Sequence, residues 1–465
     1  MTSLTKAKEF HFVRDRDREI ALHVPSMTVL DLHPAAAELL RNDDRGGAGD
    51  FKTKNNLPSA YPRYIISAAR SALNRLDVGG HLEPVKLLAI DDQEFPSLLW
   101  MHVSHACNMR CVYCFADHGK YNGPSSLMSI QTAQKTIDWV LSNKSSNQKV
   151  HVLFFGGEPL LNFEVIKSTV QYATERDAGN SFVWGLITNG ILLSREITDF
   201  LVGYGVHITV SIDGPAKVQR KLRPRKDGRE CSSELESSVK YLLSRSNLPV
   251  SVRATVTQEN LDLILSFNYF RDLGFRYISL MPALGTCSDR WVLQPGSWSV
   301  FLSQLSDIAS VIVNRAVHCE FIHVRPLDNY LEKIHSGIVT GNCGAAVEGL
   351  AISPEGHLFP CSRFVGIDAF RCGDISEQWD ASSGANFKRK STLTEPRCKD
   401  CWARYFCEGG CPYYNFQAHG DPSVPTEDYC SRHIQLTELA LLTYAELARR
   451  PGVLEAYFGS DLATN

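Results

Sequence analysis

Between Ser97 and about residue 325 the chain alternates between two periods. Six short apolar runs, SLLWMHV, VHVLFFG, FVWGLIT, VHITVSI, VSVRATV and YISLMP, read as strands. Amphipathic stretches such as SIQTAQKTIDWVLSN, NFEVIKSTVQYATERD and ENLDLILSFNYFRDLG separate them. Strands alternating with helices predict parallel βα units joined by right-handed crossovers. Six units favour a full or partial βα barrel over a small doubly wound sheet, and in a barrel the chemistry sits on loops after the strands. Upstream, FHFVRDRDREIALHV predicts two short strands around a polar turn. TVLDLHPAAAELLR predicts a helix with Pro34 near its first turn, RNDDRGGAGDFKTKNNLPSAYPR a loop, and AARSALNRL a second helix. Residues 1–95 thus form a small α+β module. Downstream, residues 343–430 are rich in Cys and turn residues, with little periodicity. The stretch SRHIQLTELALLTYAELARR is helical by its apolar spacing.

Composition narrows the class. The 465 residues suffice for two to four domains at roughly 100–200 residues each. Hydrophobic residues at 44% and charged residues at 21% are ordinary for a soluble protein. The net charge of −3 argues against a general nucleic-acid or anionic-membrane partner. No apolar run reaches the roughly 18 residues of a membrane span. The start, MTSLTKAKEFHFVRDRD, lacks the apolar core of a secretory signal, so a cytoplasmic location is expected.

The 14 cysteines change the picture. Thiols stay reduced in the cytoplasm, so clusters of them point to metal or iron–sulfur sites rather than disulfides. Cys107, Cys111 and Cys114 form a C-x3-C-x2-C motif directly after the first apolar run. Three thiolates can hold three irons of a [4Fe–4S] cluster and leave the fourth iron open. An open iron can chelate the amino and carboxylate groups of S-adenosylmethionine (SAM), and one electron then cleaves its sulfonium bond to a 5′-deoxyadenosyl radical. A structural zinc would want a fourth protein ligand, and no neighbouring His or Cys is an obvious one. Cys231, Cys287 and Cys319 stand alone and read as core or surface residues.

The run CNMRCVYC, with Tyr113 before its last cysteine, resembles the radical SAM signature. About 40 residues later FFGGEP follows, with Gly156, Gly157, Glu158 and Pro159. The resemblance implies that this segment binds the SAM amino group, its glycines letting backbone approach a ligand closely. It likewise implies SAM contacts for Thr188 and Asn189 of ITNG and for Ser211 and Asp213 of SIDGP. A simple β-turn is the other reading of SIDGP.

The C-terminal spacing resembles the SPASM extension of radical SAM peptide maturases. Cys343 precedes Gly356-x4-Cys361, followed by C-x2-C-x5-C-x3-C and a final Cys430. By that resemblance Cys398, Cys401, Cys407 and Cys430 hold one auxiliary cluster, and Cys343, Cys361 and Cys411 hold another, making three [4Fe–4S] clusters in all. The fourth ligand of the second auxiliary set stays open between Cys372, an open iron that accepts a substrate thiolate, and no role for Cys372 beyond that of a small buried residue. A zinc ribbon on CKDC and CEGGC is the competing reading.

HACNMRCVYCFADHGKYNGPSSLM is similar to maturases of small ribosomal peptides, including those of six-cysteine-in-forty-five peptides and of quinohemoprotein amine dehydrogenase. The fold class this implies is α/β. A partial (βα)6 barrel spans 96–325. An N-terminal α+β leader-recognition module (1–95) captures a precursor peptide by adding a strand to its sheet edge. A Cys-rich SPASM domain (326–440) and a terminal helix (441–465) complete the chain. The implied activity is an oxidoreductase forming intrapeptide Cys-to-carbon thioethers, with a reductase, flavodoxin or ferredoxin as electron donor. Ser362 stands where sulfatase-maturating relatives carry an Asp base, which weakens that branch. The alternatives are C–C or C–O side-chain crosslinking, sulfatase-type maturation, and a non-enzymatic iron–sulfur or zinc protein.

Overall fold

The computed structural model describes residues 10–15, 18–41, 65, 67–69, 71–72, 95–177, 181–285, 289–338, 343–380, 387 and 395–459. Most of the polar stretch after Arg41 and Cys287 lie outside these residues.

The N-terminal module is a three-stranded antiparallel sheet, β1 (Phe10–Asp15), β2 (Arg18–His23) and β3 (Thr28–Leu32), followed by α1 (Pro34–Arg41). The helix predicted from Thr28 is corrected here: TVLDL is a strand, paired from Thr28↔His23 to Leu32↔Glu19. Its β-branched start and alternating burial suit a sheet, and the helix begins only at Pro34, whose fixed φ fits a first turn. Ala21, Leu30, Ala36, Ala37 and Leu40 form a small core of their own.

Among the described residues the main sheet has ten strands. Six are the runs read from sequence: β4 (Leu98–Ser104), β5 (Val150–Gly156), β6 (Phe182–Thr188), β7 (His207–Ser211), β8 (Ser251–Val256) and β9 (Tyr277–Pro282). They lie side by side in chain order and all parallel. Period 2 sorts their side chains. Leu99, Met101 and Val103 of β4, and Val152 and Phe154 of β5, are buried in the main core, as are Ile137 and Val140 of α2 (Ile130–Asn143) and Ile166 and Val170 of α3 (Phe163–Arg176). Each fully buried side chain of this size contributes about 1.5–3 kcal/mol, so this face carries the cohesion of the fold. The opposite face lines a cavity of about 980 Å³, with His151, Gly185, Thr209, Arg253, Ser279 and Arg325 among its walls.

Four strands were not legible as such. β10 (His323–Arg325) extends the β9 edge in parallel. On the other edge β11 (Gly349–Ile352) runs parallel to β4, and β12 (His357–Phe359) and β13 (Gly373–Asp374) follow antiparallel. The Cys-rich region is therefore hydrogen-bonded into the same sheet. GLAI is buried at every position and so shows no alternation to read.

The predicted C-terminal helix is present as Glu427–Ala448. The N-terminal sheet packs on it: His11 bonds Glu438, and Arg18 pairs with Glu446. The His11 ring also stacks on Trp402 with centroids 3.5 Å apart. No helix among the described residues is long and apolar enough to cross a membrane.

Candidate functional site

The cysteine motif lies on the loop leaving β4, and that loop is fixed by backbone contact. Gly157 N–H donates to the Ser104 carbonyl at 2.8 Å and Glu158 N–H to the Ala106 carbonyl at 2.8 Å. A Cβ at Gly157 would stand 2.4 Å from the Ala106 oxygen and 2.8 Å from the Gly119 Cα. A Cβ at Gly156, whose φ is +128°, would stand 2.1 Å from the Ser104 oxygen. The glycines of FFGGEP are thus required where two backbones meet. Beyond Cys114 the loop turns sharply, with positive φ at Asp117, His118, Gly119, Tyr121 and Asn122. A Tyr in that region is strained. It is held by its buried ring, stacked on His105 at 4.8 Å, and by its hydroxyl, which donates to the Gly156 carbonyl at 3.1 Å.

Glu158 is completely buried. One carboxylate oxygen accepts from the Leu160 N–H and the Thr188 hydroxyl, the other from the Asn189 N–H. Burial nevertheless holds its pKa above the usual carboxylate range. Asn189 in turn donates from its amide to Asn108, beside Cys107, at 2.7 Å. Asp213 is also fully buried, accepting from the Tyr113 hydroxyl at 2.6 Å and the Thr255 N–H at 2.9 Å. Neither carboxylate faces open space; both brace the loop. Ser211 is half-buried on the strand face that lines the cavity. Arg223, buried and not singled out in sequence, donates to the Tyr113 hydroxyl at 2.8 Å. In the basic run KLRPRKDGR it looks like any surface cation.

Three groups of thiols come together. Burial pushes Cys111 up to about 12, against the Arg223 charge, with Asp213, Cys107 and Cys114 adding to the rise. Cys107 is raised for the same reason. In the second group burial pushes Cys361 up to about 12, and Cys411 and Cys343 act on it. In the third, the Cys407 thiol bonds Cys430, raising Cys407 and holding Cys430 down to about 7, and Cys430 acts on Cys401. Cys398 lies in the same turn as Cys401, whose N–H donates to the Cys398 carbonyl. Thiols whose ionisation burial opposes become thiolates when a metal compensates the charge. Among the described residues no three such side chains converge on a single ion position. A four-iron cluster takes each thiolate on a separate iron, so its ligands need not converge on one point.

Cys372 is not brought to any group. It lies in the main apolar core, and burial pushes it up to about 12 with no thiol acting on it. Of the roles left open for it, the structure supports a small buried residue. Cys231 is buried and Cys319 exposed, apart from the groups, as expected.

The contact at Gly157 gives a direct test. Gly157→Ala forces a backbone shift under the cysteine loop, expected to cost about 1–3 kcal/mol. Iron bound per chain after anaerobic reconstitution should fall while far-ultraviolet circular dichroism stays unchanged. Full iron loading at unchanged melting temperature would show that the loop does not depend on this contact.

Comparison with known proteins agrees with this geometry. The sequence profile of the radical SAM superfamily matches residues 101–251. A cysteine-type anaerobic sulfatase-maturating enzyme of Clostridium perfringens is 23% identical over 366 residues, covering 74% of this chain and 96% of that protein. The structure of anSMEcpe with bound AdoMet superposes with a TM-score of 0.67 at 21% identity, covering 76% of this chain and 99% of that one. Streptococcus suis SuiB bound to its precursor peptide SuiA superposes with a TM-score of 0.52 at 15% identity, covering 92% and 99%. The chain carries a radical SAM domain on a mostly parallel α/β sheet and is an enzyme of the radical SAM superfamily.

Proposed function

We propose that the chain is a maturase that crosslinks a ribosomally made precursor peptide, forming Cys-to-carbon thioethers. Cys107, Cys111 and Cys114 would hold the SAM-binding [4Fe–4S] cluster. Cys398, Cys401, Cys407 and Cys430 would hold one auxiliary cluster, and Cys343, Cys361 and Cys411 a second, whose fourth position is left for a substrate thiolate. The observation that carries the reading is Arg363. It follows Cys361 by two residues, and its guanidinium lies 4.8 Å from the Phe115 ring centroid and 5.9 Å from that of Tyr413. Phe115 adjoins Cys114, and Tyr413 is two residues past Cys411, so one side chain bridges two thiol groups.

When bound, the clusters and SAM supply a radical able to take a hydrogen atom from a peptide carbon, and an acceptor for the surplus electron. The chain's own residues supply position and charge. Arg223 offsets the negative charge gathered by Cys107 and Cys111. Tyr113, tied to both Arg223 and Asp213, fixes the loop between its cysteines. The strand face of the cavity, with Arg253 and Arg325, receives the peptide segment. The edges of the small sheet, β1 and β3, are where a leader strand would add.

Sulfatase-type maturation is the second reading, favoured by the similarity to the Clostridium perfringens enzyme and opposed by Ser362. The product separates them. A thioether removes two hydrogens from the peptide and keeps its sulfur, whereas conversion of Cys to an aldehyde removes two hydrogens and also replaces sulfur by oxygen. Mass spectrometry of a short Cys-containing peptide encoded beside the gene, after anaerobic turnover, distinguishes the two.

Two substitutions test the assignments. Cys111→Ala should abolish deoxyadenosine formation from SAM with dithionite; normal formation would refute the first set. Replacing Cys398 and Cys401 together by Ala should lower iron from about twelve atoms per chain by about four. SAM cleavage should persist and crosslinked peptide disappear. Full crosslinking by the folded double variant would remove that cluster from the reaction.

A further inference from the structure

The segment from Ala216 to Arg229 is unlike the rest of the surface. It holds seven basic residues and one acidic residue in a chain whose net charge is −3. Its helix (Ala216–Leu222) exposes Lys217, Arg220 and Lys221, and the turn beyond exposes Lys226 and Arg229. Part of this charge is compensated: Lys221 pairs with Glu259, Arg225 with Asp227 and Glu234, and Arg229 with Asp227. Lys217, Arg220 and Lys226 form no ion pair among the described residues, and neither does Arg110 beside them.

The same segment is laced to the cysteine loop. Arg110 N–H donates to the Pro224 carbonyl at 2.8 Å and Val112 N–H to the Leu222 carbonyl at 3.0 Å. Lys226 N–H donates to the Asn108 carbonyl at 2.8 Å, and Met109 bridges Arg225. From this segment Arg223 reaches inward, close enough for its charge to act on Cys107 and Cys111. The unpaired cations therefore form the outer side of a layer whose inner side is the three-cysteine loop.

From this juxtaposition we infer that the face carrying Lys217, Arg220, Lys226 and Arg110 is the docking surface for a small acidic electron-carrier protein of the flavodoxin class. The inference rests on the proposed assignment of Cys107, Cys111 and Cys114. Electron tunnelling falls steeply with distance, so a carrier must dock where little protein separates its redox group from the recipient. Complementary charge raises the rate of such encounters by 10-fold or more, roughly, and the gain is lost with salt. In the transfer the carrier is oxidised by one electron and the three-cysteine cluster reduced by one; no bond is made and no proton need move. Acidic peptide substrate is the less fitting occupant, because the cavity walls lie on the strand face, formed by other residues.

The test uses the full-length reconstituted enzyme and two reductants. Deoxyadenosine formation from SAM is measured with dithionite and, separately, with flavodoxin and its NADPH-dependent reductase. In the triple variant Lys217→Glu, Arg220→Glu, Lys226→Glu, the flavodoxin-driven rate should fall about tenfold or more, with the dithionite-driven rate unchanged. Flavodoxin affinity, measured by calorimetry, should weaken in parallel. For the unaltered enzyme, raising ionic strength from about 0.01 M to about 0.1 M shortens the screening length from about 30 Å to about 10 Å and should depress only the flavodoxin arm. Retention of the flavodoxin-driven rate would overturn the inference. So would equal loss in both arms, which reports a structural defect, or the same selective loss in a control triple Lys135→Glu, Lys167→Glu, Lys240→Glu. Failure of the unaltered enzyme with dithionite would instead overturn the cysteine assignment beneath it.

Discussion

Everything chemical in this chain hangs on a place where two backbones touch with no side chain between them. Ser104 and Ala106 leave β4, Gly156 and Gly157 leave β5, and the gap between them has no room for a Cβ. Any other residue there would separate the strand ends and lift the cysteine loop. From that contact a closed circuit of bonds runs outward. Glu158, anchored by the Ala106 carbonyl, holds Thr188 and Asn189 at the end of β6, and Asn189 returns to Asn108 beside Cys107. Three strand ends are thereby locked to one loop, which is the preorganisation that a reactive site on loops needs.

The second constraint is charge. Two buried carboxylates, a half-buried phenol and half-buried thiols surround one buried guanidinium. Burial pushes Glu158, Asp213, Tyr113 and Cys111 toward their neutral forms. Arg223 is held charged by its acidic neighbours against the desolvation that opposes it. Cys107 and Cys111 therefore favour protonation in the absence of metal, and Arg223 is already in place for their ionised forms. The site is arranged for a charge distribution that exists only once the metal is bound.

Much of this was legible in the chain, for identifiable reasons. Six short apolar runs mark the strands, and the amphipathic stretches between them mark the helices. Cysteine spacing survives folding because short loops keep near neighbours together. What failed to show is what lacks period or depends on partners far away in sequence. TVLDL reads as a helix beside PAAAELLR because its strand partner, β2, is what decides it. A turn at a strand end likewise does not reveal that the Glu158 and Asp213 carboxylates are enclosed by bonds to the strands around them. Tyr113 was noted as part of a signature, but its bonds span about 100 residues to Asp213 and Arg223.

The C-terminal region illustrates the same point at larger scale. Its cysteines suggested a unit folded around metal, yet the peptide chain itself joins it to the rest. β11 extends the main sheet beside β4, so Cys343 and Cys361 flank strands that continue into the cysteine loop's own strand. Gly366 packs so tightly that a Cβ would stand 1.9 Å from the Tyr121 carbonyl oxygen. Ala116, Tyr121, Ala351, Phe359 and Val365 form one apolar cluster that also touches Cys114. Removing metal from the auxiliary thiols would thus leave β11 and this cluster intact, because backbone pairing and apolar burial hold them. The placement of Cys343 and Cys361 relative to the three-cysteine loop is thus a property of the sheet.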